Sequence, residues 1–281
     1  MFDFSCFAPL PALADVIETI GDLDLPDAVH ARALTINILP GVCPTLSLHY
    51  RAVPVSNQSS HSTQCHQQMT GVRTRAVTLQ PTGPVGSVFV RFKPEASHRF
   101  PASDMERLTD ATIGLADLVG PAAAAALEET LKKAIGPIQR VGRVQSFLLQ
   151  HLGTDTPDQL VRRAVMQLRA RPGSSVSELA ADLEISQRQL LRRFRLFTGT
   201  PVKKFAQIAR LSHAIRARRA GKSWTESAHE AGFADLSHLG HAFRRMTGYA
   251  PTALFQSAAA PAHRRLNALL ATSGFFDTLI I

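Results

Sequence analysis

Three arginines, Arg188, Arg192 and Arg195, recur at intervals of four and three residues. On a helix that spacing places them on one face. A guanidinium is a permanent cation carrying a planar fork of donors, so such a ridge suits phosphate oxygens and the acceptor edge of guanine. Further along, Ser237, His238, His241, Arg244 and Arg245 fall within nine residues, and these side chains also bond base edges and phosphates. Other chemistry finds less support. No GxSxG, HExxH, Walker or GxGxxG pattern occurs. His61, Cys65 and His66 share a polar stretch with His49 nearby, but H-x3-C-H is not a metal-ligand spacing. No catalytic residue, metal site or cofactor is expected.

Both sets sit in elements that repeat. Ala180, Leu183 and Ile185 match Ala228, Ala231 and Phe233 at an offset of 48. Leu190, Phe194 and Gly199 match Leu239, Phe243 and Gly248 at 49, and Pro201 matches Pro251 at 50. Each copy reads as helix, turn, helix. In the first, Ser177 is the expected cap of a helix through Leu183, and "EIS" makes the turn with Ile185 as its plug. Ser186 then caps a helix from Gln187 to about Phe197. Leu190, Phe194 and Phe197 recur at helical spacing as its inner stripe. In the second, Ser223 or Thr225 caps a helix through Ala231, Gly232 supplies the turn, and Asp235 caps a helix from about Leu236 to Thr247. Its inner stripe is Leu239, Phe243 and Met246.

Between the copies, "PVKKFAQIARLSHAIRARRAG" reads as one long helix from Pro201 to Gly221. About 20 helical residues span ~30 Å, close to the ~34 Å turn of B-DNA. A rod of that length can hold two reading helices in successive major grooves.

The charge is divided in the same way. Residues 1–150 carry 12 Lys/Arg against 13 Asp/Glu, whereas 151–281 carry 19 against 9. A near-neutral half joined to a basic half points to a polyanion met by the second. The first half alternates in the manner of half-buried strands at 31–39, 45–55, 72–81 and 86–94, with a polar loop at 56–68. Helical patterns follow at 103–118, 122–134 and 138–152. Thr156 is the expected cap of the next helix, with Pro157 in its first turn and Gln159 three residues on.

The expected fold is α+β. A mainly-β, barrel-like domain with flanking helices (1–152) precedes an all-α domain of two helix-turn-helix units joined by a long helix (156–256). A tail, 257–281, ends in an apolar run. No run approaches the ~18 apolar residues of a membrane span. The N-terminus lacks a basic start and a small-residue cleavage site. Three cysteines without CxxC spacing fit a reduced, cytoplasmic setting.

Residues 156–256 resemble the DNA-binding domain of the AraC/XylS family of bacterial transcription regulators. "SELAADLEISQRQLLRRFRLFTGTPVKKF" is similar to the family's first motif and "AHEAGFADLSHLGHAFRRMTGYAPTALF" to its second. The resemblance implies base-reading positions at Arg188, Leu191 and Arg192, with Gln187 adjacent. In the second recognition helix it implies Leu236, Ser237, His238, Gly240 and His241. Leu191 and Gly240 depart from the polar residues usual there, so Leu191 is suited to a thymine methyl and the second helix to phosphate. Arg193, Arg195, Lys203, Arg244 and Arg245 are the phosphate candidates.

"PGVCPTLSLHYR" and "RLTDATIGLADLVG" in the first half resemble the β-rich sensor domains of some family members. The implied partners are double-stranded DNA, a small-molecule effector, RNA polymerase and a second copy of the chain. The alternative is a bifunctional enzyme, metal-dependent or using a cysteine for DNA repair, targeted by its DNA-binding half. However, Cys6, Cys43 and Cys65 lack the Pro-Cys-His-Arg setting of such a nucleophile and read as small core residues.

Overall fold

The computed structural model describes residues 3–56, 66–100, 105–258, 261–275 and 277–281. The chain opens with strands β1 (Asp3–Phe7) and β2 (Ile17–Leu25), a short helix α1 (Ala28–Arg32), and strands β3 (Ile36–Ile38) and β4 (Thr45–His49). Strands β5 (Val55–Ser56), β6 (Gln67–Thr70), β7 (Val77–Gln80), β8 (Val85–Phe92) and β9 (Thr112–Gly114) follow. Helices α2 (Leu115–Val119), α3 (Pro121–Lys133) and α4 (Gly136–His151) close this half. The helical half comprises α5 (Gln159–Ala170), α6 (Val176–Asp182), α7 (Gln187–Thr198), α8 (Val202–Arg219), α9 (Trp224–Glu230), α10 (Leu236–Thr247) and α11 (Pro251–Ala258). Helix α12 (Pro261–Thr272) and strand β10 (Thr278–Ile280) end it.

The strands form two antiparallel sheets, in the orders β1-β2-β8-β4-β6-β9 and β10-β3-β7-β5. One face of the larger sheet carries Leu46, Leu48, Met69, Val88, Val90 and Phe92, which form a core with Leu127 and Leu131 of α3 and Val144 and Leu148 of α4. Period-2 alternation sends the other residues of β4, β6 and β8 toward the smaller sheet. The segment read as a tail, 257–281, is built into this assembly, because β10 pairs with β3 and makes its edge an interior ladder.

Several boundaries differ from the sequence expectation. Strands β1 and β2 carry acidic residues, which hid them. Asp22 is buried because Arg140 of α4 donates to both its oxygens at 2.7 Å. The pattern at 31–39 begins as helix, since Asp27 caps α1 through Val29 and His30. The helix expected at 103–118 is instead a turn, strand β9 and short α2, with Asp110 in the left-handed region at φ 57°. Part of that stretch, and residues 57–65 of the expected loop, lie outside the described residues.

The two halves share one core. Leu39, Val42, Cys43 and Val72 of the β-rich half join Leu168, Phe194, Phe205, Leu211 and Phe243 of the helical half. A polar cluster adds to this seam. Arg169 of α5 holds both oxygens of Glu18, at 2.5 and 3.0 Å, while the Cys43 thiol donates to Glu18 at 3.0 Å. Burial alone would raise the Glu18 pKa, but the hydrogen bonds and charge of Arg169 bring it down to about 2.

Candidate nucleic-acid interface

The repeat seen in the sequence is a repeat of hydrogen bonds. Helix α6 is capped by Ser175 and α9 by Ser223, each in a capping box closed by Glu178 or Glu226. Ser175 displaces the expected Ser177 because a Glu lies three residues on from Ser175, whereas Ala180 follows Ser177. In the turns, Ile185 N–H donates to the Ala180 carbonyl (3.0 Å) and Phe233 N–H to that of Ala228 (2.9 Å). The preceding residue has positive φ in both, 57° at Glu184 and 76° at Gly232. At the helix ends, Thr198 and Thr247 hydroxyls each donate back four residues at 2.8 Å. Gly199 and Gly248 then take left-handed φ of 73° and 80°.

Each second helix buries one stripe and exposes the other face. Leu190 and Phe194 of α7 and Leu239, Phe243 and Met246 of α10 are buried. Phe197, expected in the inner stripe of α7, is half-buried and meets the β-rich half edge-on through His98, ring centroids 4.7 Å apart. Gln187, Arg188, Leu191, Arg192 and Arg195 are exposed on α7, as are Ser237, His238, His241, Arg244 and Arg245 on α10. Lys203 is exposed in the first turn of α8. His238 is partly engaged locally, accepting a long hydrogen bond from Ala234 N–H (3.5 Å) and meeting Phe233 edge-on.

Two phosphate candidates have protein partners. Arg193 is half-buried and donates to Asp158 at 2.7 Å, a carboxylate that also caps α5 through Leu160 and Val161. Asp158 is thus the cap of α5 where Thr156 was expected; a charged oxygen at the positive end of the helix, held in addition by Arg193, wins the position. Arg195 pairs with Glu106 of the β-rich half at 2.8 Å.

Helix α8 is a single unbroken element of 18 residues, which span ~27 Å at ~1.5 Å each. Phe205, Ile208, Leu211 and Ile215 bury its inner face. Its basic residues are largely occupied within the fold. Arg210 lies over the Phe233 ring (5.6 Å) and Arg218 over Trp224 (5.8 Å). Arg219 donates to the carbonyls of Asn267 (3.2 Å) and Thr278 (2.5 Å) in the C-terminal segment. The basic excess of this half therefore overstates the charge left for a partner.

Among the described residues no group of three His, Cys, Asp or Glu is placed to hold a metal. His61 and Cys65 lie outside them. Cys6 sits exposed on β1, and Cys43 is buried, its thiol pushed up to about 12 by burial and by the charge of Glu18. A thiol so protonated is a poor nucleophile. No helix among the described residues is long and apolar enough to cross a membrane.

Two helix-turn-helix units on one rod define a bipartite DNA-binding module. Residues 179–257 match a helix-turn-helix domain family, and residues 5–114 match a domain of unknown function, DUF6597. The chain carries an AraC-type helix-turn-helix domain behind a DUF6597 domain. No curated protein matches it in sequence. Among solved structures it is similar to ToxT from Vibrio cholerae, with TM-score 0.43 and 9% identity over 90% of this chain and 96% of that one. It is also similar to an unsaturated fatty acid-bound form of wild-type ToxT from Vibrio cholerae strain SCE256. There the TM-score is 0.40 and the identity 13%, over 90% of this chain and 94% of that one.

Proposed function

We propose that this protein is a sequence-specific transcription regulator that sets α7 and α10 in successive major grooves and is controlled by an effector in its β-rich half. The observation that carries the reading is the unbroken α8 between two units with the same backbone hydrogen bonds. Arg188 and Arg192 are the base readers of α7, with Leu191 against a thymine methyl. Ser237, His238 and His241 give α10 a smaller reading set, and Arg244 and Arg245 grip phosphate. Arg195 and Arg193 reach phosphate only by exchanging Glu106 and Asp158 for it.

Footprinting tests the geometry: two protected patches on one face of the duplex, about one turn of ~10 base pairs apart, are expected. Arg188→Ala should weaken cognate binding by about 1–3 kcal/mol and relax preference at one base, whereas Arg244→Ala should weaken all sequences alike. Unchanged cognate and random binding in Arg188→Ala would remove α7 as a reader.

A further inference from the structure

Between the two sheets lies a cavity of about 480 Å3, within the range of small-molecule sites. Its walls are unlike. The larger sheet contributes Ser47, His49, Gln68, Ser87 and Thr112. His49 is held neutral there, its pKa lowered to about 4 by burial, and its Nδ1 lies 2.6 Å from the Ser87 hydroxyl. The facing wall is Ile36, Ile38, Leu79, Leu266, Phe275 and Ile280. Phe275 is part of an aromatic group, 5.9 Å from Phe4 and 6.1 Å from Phe89.

Two guanidinium groups line the cavity with two carboxylates. Three of the four have partners. Asp277 accepts from both Nη atoms of Arg91, at 2.7 and 2.9 Å. Asp110 accepts from the Thr74 N–H (2.6 Å) and hydroxyl (2.5 Å). Arg73 differs: among the described residues its side chain has no hydrogen bond or ion pair, though it feels the charges of Asp277 and Asp110. Burial pushes its pKa below the ordinary arginine value. A half-buried guanidinium on the cavity wall, with no hydrogen-bonded partner among the described residues, has donors free for an anion.

We propose that this cavity binds an amphipathic monoanion, its carboxylate forked by Arg73 and its apolar body laid on the Ile36, Leu79 and Phe275 wall. The planar fork of Arg73 matches a carboxylate. Asp110 and Asp277 disfavour a dianion such as a phosphate monoester, and the aliphatic and aromatic wall disfavours a ligand polar all round. The site deepens the effector reading above and rests on it. It also explains the return of the C-terminal segment, since Leu266, Phe275 and Ile280 would touch the ligand while Arg219 of α8 grips the same segment.

The test uses full-length protein and four matched probes: 4-phenylbutanoate, 4-phenylbutan-1-ol, 4-phenylbutylammonium and 4-phenylbutyl phosphate. By calorimetry the carboxylate should bind saturably at one site, with the alcohol and ammonium at least roughly tenfold weaker. Arg73→Gln should bring the carboxylate down to the alcohol's level and Arg73→Lys should recover part, both with unchanged melting temperature. Hydrogen exchange over 274–281 should slow with the carboxylate bound. Absence of saturable binding, equal binding of the alcohol, tighter binding of the phosphate, or an unaffected Arg73→Gln each overturns the proposal. Gel shifts on the same samples separate the two readings. DNA binding without carboxylate binding removes only this site. Carboxylate binding that never alters DNA affinity leaves the site and removes effector control.

Discussion

The two helix-turn-helix units are nearly the same object in different surroundings. The capping boxes of α6 and α9, the turns and the helix-terminal Thr and Gly correspond bond for bond, while α7 has a Ser capping box and α10 an Asp cap without one. The first, however, is wedged against the β-rich half. The Thr109 hydroxyl donates to the Gly199 carbonyl at 2.9 Å, His98 meets Phe197, and Glu106 pairs with Arg195. At Gly199 an added Cβ would lie 2.1 Å from the Met105 carbonyl oxygen; at Gly248 it would meet nothing within 4 Å. The second unit touches the β-rich half more lightly, as where Ala76 N–H donates to the Met246 carbonyl at 2.9 Å. The difference teaches that a duplicated helix-turn-helix unit need not be duplicated in its tethering to the rest of the fold. The unit whose second helix exposes the larger set of arginines is the one whose helix end is clasped.

The largest effects should test whether the units are one cooperative body. Phe194→Ala and Phe243→Ala each delete a fully buried ring and should cost about 3–5 kcal/mol. Trp224 lies edge-on to Phe243 at 5.8 Å, so its emission follows the second unit. In both variants Trp224 emission and far-UV ellipticity should change together on urea titration, because the units share one core. A separate Trp224 transition in Phe243→Ala would split them.

Next comes the paired glycine test. Alanine at Gly248 meets only the left-handed backbone, about 1–2 kcal/mol. At Gly199 it also drives into Met105, adding about 1–3 kcal/mol. Equal losses would mean that the wedge does not form in solution.

Acid should loosen the first unit's seat before the second. Burial lowers the His98 pKa, and neither ring nitrogen has a hydrogen bond. An unfolded histidine takes up its proton near ~6.5, and the folded one only at lower pH. The neutral ring's contribution is therefore present above that value and lost as pH falls below it. Hydrogen-exchange protection, taken relative to the intrinsic rate at each pH, should fall toward pH 5 more at 194–200 than at 243–249, and His98→Gln should remove the contrast.

The smallest effect concerns Glu106. Its exposed pair with Arg195 is worth no more than about 1 kcal/mol. Glu106→Gln should tighten binding to random DNA slightly and steepen its salt dependence by about one phosphate contact, a slope change near ~0.9. No change in slope would show that Arg195 stays away from the backbone.

What the sequence disclosed was local. The offset repeat, the glycine stops, the Ser186 and Asp235 caps and the long helix are all properties of a few neighbouring residues. What it concealed was held by partners far along the chain. Asp22 gives no sign of a buried strand until Arg140, 118 positions away, is seen beside it. Arg219 counts toward the basic excess of the second half until its carbonyl partners appear. The cavity was invisible for the same reason, since its polar and apolar walls come from different sheets and its last wall from the far end of the chain. Among the proposed reader positions, exposure was legible from helical spacing. The engagement of Arg193 and Arg195 by Asp158 and Glu106 was not, because neither carboxylate belongs to the repeat.

Strand β10 carries a consequence for how the protein is made. Thr278 opposes Ile38, 240 positions earlier. At ~5–20 residues per second a ribosome takes on the order of ten to fifty seconds to cover that interval. Until then the flank of β3 stands open with Ile36 and Ile38 beside it, a template for any passing strand. The nascent β-rich half therefore waits on the synthesis of the helical half, and crowded translation is where this chain is most exposed to mispairing.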